Sequence, residues 1–150
     1  ARMYAKKEEI VQKDGFPQIP GVKEAIKRLH AEGFRLEVAS SSAGYYIGRV
    51  LDALEIRQYF ECYTSGEEVE HPKPAPDTFL RAMEKLNLKP EDCIIVEDST
   101  NGGKAAAAAG AKCVWFHNPD SGDQQIPHAV LTITSWSPEN VDKLIDLMHA

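Results

Sequence analysis

Apolar positions along the chain recur with two different spacings, and the two alternate. Val22, Ile26 and Leu29 repeat at helical spacing up to Gly33, and Ile47, Val50, Leu51 and Leu54 do the same further on. Phe79, Met83 and Leu86 mark a third amphipathic helix, and Val141, Leu144, Ile145 and Met148 a fourth, behind the helix-starting triplet Ser137-Pro138-Glu139. Between these stripes lie short runs suited to strands, at residues 34–39, 59–64, 93–97, 111–117 and 129–133. The run through Cys93, Ile94, Ile95 and Val96 has no polar alternation, as befits a strand covered on both faces. It ends abruptly in Glu97 and Asp98, and a polar, glycine-containing turn then leads into the alanine run at 105–109, which is strongly helix-forming and closed by Gly110. Met3, Tyr4, Ile10 and Val11 predict a further helix over residues 1–13, stopped by Asp14-Gly15. Strand and helix in alternation imply an α/β fold with a mostly parallel sheet and helices on both faces.

Composition narrows the function classes. At 150 residues the chain is one domain's worth of sequence, with core enough to need no staples. Its 17 Lys and Arg against 23 Asp and Glu leave a formal charge of −6 with no basic block, which argues against nucleic acid as a partner. No apolar run approaches the roughly 20 residues that span a bilayer, so no membrane association is expected. Cys62, Cys93 and Cys113 form no C-x-x-C pair and sit in or beside apolar runs, as reduced thiols of a cytoplasmic protein do. The chain opens Ala1-Arg2-Met3-Tyr4, without an initiator methionine.

In a parallel sheet, ligands gather at the carboxyl ends of the strands. Three loops should meet there, carrying Ser40-Ser41-Ser42, Lys73 between two prolines, and Glu97-Asp98. A hydroxyl donor, a cation and paired hard oxygens are what a phosphoryl group and a Mg²⁺ ion require. Taken singly, each residue has a plainer reading. Ser40 could cap the next helix, Asp98 or Ser99 could cap the alanine helix, and Lys73 could be a solvated loop lysine. The five histidines lack zinc spacing, and neither a dinucleotide fingerprint nor a Walker A sequence is present.

Taken together and in order, Val38-Ala39-Ser40-Ser41-Ser42, Lys73-Pro74-Ala75-Pro76-Asp77 and Val96-Glu97-Asp98-Ser99 with Gly102 closely resemble three consecutive motifs of the haloacid dehalogenase-like hydrolases, in their β-phosphoglucomutase-like branch. The resemblance covers residues 17–133. It implies a Rossmann-like three-layer core, a helical cap, Mg²⁺ as cofactor, and phosphoryl transfer through a phosphorylated aspartate to or from a small phosphorylated metabolite, such as a sugar phosphate. By position, Ser40 and Lys73 resemble the catalytic pair, Ser40, Ser41 and Lys73 the phosphate-binding groups, and Asp98 and Glu97 the metal ligands.

One departure from the family pattern is large. Such enzymes carry D-x-D on their first strand, and no two aspartates here are separated by a single residue. On this resemblance residues 1–15 are expected to be the last helix of a cap and residues 16–150 an incomplete core, with the central first strand missing. The expectation is a fragment that is inactive alone, belonging to a phosphatase or phosphomutase. The alternatives are a non-catalytic phosphate- or protein-binding module, or a dehalogenase or phosphonatase on the same fold.

Overall fold

A computed structural model describes the backbone of Met3–Lys6 and residues 19–118, 120 and 122–150. Among the described residues six strands form one sheet: β1 (Met3–Lys6), β2 (Arg35–Ser40), β3 (Cys62–Ser65), β4 (Cys93–Glu97), β5 (Lys112–Phe116) and β6 (Leu131–Ile133). Their spatial order is β3-β2-β1-β4-β5-β6, and every pairing is parallel. The described helices are α1 (Val22–Ala31), α2 (Gly44–Ala53), α3 (Asp77–Leu86), α4 (Thr100–Ala109) and α5 (Pro138–His149), joined to the strands by short 3₁₀ turns and loops.

The pleat of β4 shows why the sheet must be covered twice. Ile94 and Val96 point into one core with Leu36, Val38, Val114 and residues of α1, α2 and α5. Cys93 and Ile95 point into the other, against Phe79, Met83 and Leu86 of α3 and Ala105, Ala106 and Ala109 of α4. Alternate residues of one apolar strand thus serve opposite layers. The alanines bring α4 close to the sheet and to α3 without loss of helix propensity. Cys62, Cys93 and Cys113 are all free thiols, and burial pushes those of Cys62 and Cys113 up to about 12, so both stay protonated. No described helix is long and apolar enough to cross a membrane.

The α/β, three-layer, parallel architecture agrees with the sequence reading; its N-terminal part does not. A helix over 1–13 and an empty central slot in the sheet were expected. Instead Met3–Lys6 is a strand that fills that slot, pairing with β2 on one side (Lys6 opposite Val38) and β4 on the other (Lys6 opposite Val96). The physical reason is the sheet's need. An empty slot would leave the inner edges of β2 and β4 with unpaired buried N–H and C=O groups, whereas a helix of about 13 residues is only marginally stable in water. The remainder of the expected cap helix lies outside the described residues.

Candidate active site

All strands run the same way, so the loops after β2, β3 and β4 emerge on one edge. Ser40 is the last residue of β2, Ser65 of β3 and Glu97 of β4, and Ser40 lies opposite Ser65 in the ladder. The structure brings the three predicted loops together there.

Lys73 arrives on the loop between β3 and α3. Its ammonium donates to Glu97 Oε1 at 2.9 Å and to the Ala39 carbonyl at 3.3 Å, and it lies 4.3 Å from the centre of the Phe79 ring. The side chain is 3% exposed, so Lys73 is no solvated loop lysine. A buried cation of this kind is retained because a carboxylate, a carbonyl dipole and an aromatic face replace the water it has lost.

Glu97 is fully buried. Besides Lys73 it accepts, on Oε2, the Asp98 N–H and the Ser99 hydroxyl, each at 3.2 Å. Ser99 in turn caps α4, its Oγ accepting the Gly102 N–H at 3.0 Å. Gly102 is required by the carboxylate itself: a Cβ there would stand 2.1 Å from Glu97 Cδ and Oε2. Strand end, cap and glycine therefore form one cradle around Glu97. Asp98 follows at the sheet edge, nearly buried.

Ser40 is also buried. Its Oγ accepts the Ser42 N–H at 3.1 Å, which leaves the hydroxyl proton to be donated to another group. Ser41 is exposed at the loop tip. Ala43, at the N-cap of α2, supplies no side-chain cap, and at this helix start next to the serines the Gly44 N–H donates instead to Glu67 Oε1 at 3.0 Å.

Three hydrogen bonds occupy Glu97, of about four a carboxylate can accept, so its first role here is counterion to Lys73. Among the described residues no three His, Cys, Asp or Glu side chains cluster as a metal site. Mg²⁺ is commonly held by one or two carboxylates, with waters and substrate phosphate completing the shell, and Asp98 with the remaining capacity of Glu97 fits that donor type. Ser99, one of the two candidate caps of the alanine helix, is its cap, and its bond to Glu97 adds it to the site, which the sequence did not indicate. Phe79 also belongs to the site, and no sequence signal marked it, because only the tertiary fold brings its ring under Lys73.

The described residues thus form a parallel α/β sheet with a buried Lys73–Glu97 pair at its carboxyl edge. The profile of the haloacid dehalogenase-like hydrolases matches residues 1–116, and the chain belongs to that family. Protein CbbY of Rhodobacter capsulatus is 37% identical over 141 residues, covering 87% of this chain and 62% of that protein. Hexitol phosphatase B of Escherichia coli K12 is 32% identical over 115 residues, covering 77% of this chain and 51% of its own. Among solved structures, a variant of CbbY from Rhodobacter sphaeroides in complex with xylulose-(1,5)bisphosphate superposes with a TM-score of 0.75 at 26% identity, covering 84% of this chain and 57% of the other. The chain spans about half the length of the curated relatives it matches.

Proposed function

We propose that this chain is the phosphate-binding part of a Mg²⁺-dependent phosphatase or β-phosphoglucomutase-like phosphomutase acting on a small phosphorylated metabolite, with a sugar phosphate the favoured class. The observation that carries the reading is the buried Lys73–Glu97 pair beside Ser40, a fixed cation next to a hydroxyl donor at one strand edge. Relatives named for phosphatase activity on hexitols, and one solved with a bound sugar bisphosphate, support the substrate class.

In this proposal Ser40 donates its hydroxyl proton to a phosphoryl oxygen, with Ser41 beside it in the same loop. Lys73, oriented by Glu97 and the Ala39 carbonyl, presents positive charge that needs no reorganisation as negative charge shifts during transfer. Asp98, with Glu97, would hold Mg²⁺, which when bound neutralises phosphoryl charge. Nucleophilic attack calls for an aspartate of a D-x-D pair, and these 150 residues contain none. The 150-residue chain by itself is therefore proposed to bind phosphate without turnover. The second reading is a non-catalytic phosphate-binding module, which the same buried Lys73–Glu97 pair beside Ser40 would serve without turnover. A dehalogenase is disfavoured, because displacement of halide develops no phosphoryl charge for the acidic pair and its metal to neutralise.

The test is calorimetric titration of inorganic phosphate into the chain with and without Mg²⁺, followed by an assay for phosphate release from sugar phosphates. Mg²⁺-enhanced binding, lost in Asp98→Asn and Ser40→Ala, is the expected result. Binding unaffected by Mg²⁺ and by both substitutions would overturn the assignment. Release by a longer form carrying D-x-D, abolished in Lys73→Ala, separates the enzyme from the binding module.

A further inference from the structure

The loop that carries Ser40 and Ser41 is shaped by the turn that follows the neighbouring strand. Ser65 Oγ donates to the Ser42 carbonyl at 2.6 Å. Glu67 Oε1 accepts the Gly44 N–H at 3.0 Å, at the first residue of α2. Between them Gly66 lies against Ser41, so close that a Cβ would stand 3.2 Å from Ser41 Cα and 3.4 Å from its carbonyl oxygen. The turn is itself held from behind. Ser65 Oγ accepts the Glu67 N–H at 3.1 Å, Ser65 N–H donates to Glu68 Oε2 at 2.8 Å, and Glu68 Oε1 lies 2.7 Å from Lys85 Nζ on α3. Residues 65–68 thus brace the serine loop against α3, the helix that follows Lys73.

We propose that residues 65–67 are a positioning element for the phosphate loop and that Glu67 is its positioning residue. Helix α2 lacks a cap from its own N-cap residue, and Glu67, on a different loop, supplies the missing acceptor and a negative charge at the helix's positive end. Holding Gly44 N–H from one side while Ser65 holds the Ser42 carbonyl from the other fixes the main chain from Ser42 to Gly44. That in turn fixes the Ser42 N–H that orients Ser40 Oγ. Glu67 is exposed and touches no core residue through these bonds, so its removal should change the loop and not the fold. The inference rests on the reading of Ser40 and Ser41 as phosphate-binding groups.

Calorimetric titration of inorganic phosphate in Mg²⁺ buffer tests it on the full chain. Glu67→Ala should weaken phosphate binding about five-fold, the scale of a lost cap, and Glu67→Gln should restore it, because the amide oxygen accepts the same N–H. Gly66→Ala should weaken binding as well, by pushing on Ser41. Ser137→Ala, which removes a cap of similar strength from α5, should leave phosphate affinity unchanged. Equal affinity in Glu67→Ala and wild type, or no rescue by Glu67→Gln, overturns the positioning role alone. A wild type that binds no phosphate overturns the phosphate-site reading and this inference with it.

Discussion

The Lys73 ammonium stands 2.9 Å from a Glu97 carboxylate oxygen, and the two side chains are 3% and 0% exposed. Removing two charges from water costs several kcal/mol per ion, and the attraction between them repays it only when hydrogen bonds complete the shell. Here they do, through Ala39, Asp98 and Ser99. The pair is therefore costly to break from either side.

Lys73→Ala should destabilise the fold by about 3–5 kcal/mol, because Glu97 is left as an uncompensated buried charge. The double variant Lys73→Met with Glu97→Gln should recover most of that loss while phosphate binding stays abolished. Urea denaturation of the wild type, singles and double checks this. Strictly additive losses would show that the two groups do not depend on one another.

Gly102→Ala should be among the most damaging single-methyl additions in the molecule. The new Cβ would fall 2.1 Å from the Glu97 carboxylate, so the carboxylate must leave its place and release Lys73. A destabilisation of about 2 kcal/mol or more is expected from overpacking. Thermal melting and phosphate titration should both report the change, and a variant that melts and binds like wild type would contradict the cradle described above.

Ser99→Ala and Ser137→Ala remove equivalent helix caps, on α4 and α5, and each should cost about 1 kcal/mol. Only Ser99 also donates to Glu97 Oε2. Phosphate affinity should therefore fall in Ser99→Ala and stay at the wild-type value in Ser137→Ala. The contrast separates loss of stability from loss of site geometry.

Glu37 makes the stability of the fold pH dependent. It is wholly buried on β2, and burial raises its carboxyl above the ordinary 4.5, opposed by the hydroxyl of Thr64, which donates to its Oε1. Cys62, Lys85 and Glu68 complete its electrostatic surroundings. Between 4.5 and the raised value the folded state holds a proton that the unfolded chain has released, so stability should fall as pH rises through that window. Glu37→Gln cannot titrate and should flatten the decline. Urea midpoints measured at intervals from about pH 5 to pH 8 would show the slope in wild type and its loss in the variant; parallel curves would show that Glu37 does not set it.

Much of this molecule was legible in the residues. The stripe of Val141, Leu144, Ile145 and Met148 behind Ser137-Pro138 marks α5, and the unbroken run from Cys93 to Val96 marks a strand covered on both faces. Ser40, Lys73, Glu97 and Asp98 were singled out by the order of three loop motifs and not by any one residue, and the fold brings those loops to one edge of the sheet. Local periodicity misled at Met3–Lys6, where Met3 and Tyr4 could join a helical stripe and yet form a strand.

By itself, then, the sequence determined what neighbours along the chain can decide: which segments from α1 onward are strands and helices, that the sheet is parallel, and that its carboxyl edge carries a hydroxyl, a cation and two acids. Tertiary structure alone decided the rest. It placed Met3–Lys6 in the centre of the sheet, because β2 and β4 would otherwise leave main-chain groups unpaired. It also made Glu97 the counterion of Lys73, set Phe79 beneath that ammonium and laid Glu67 on the start of α2, since these contacts join residues far apart in the chain and arise only when the layers close over the sheet.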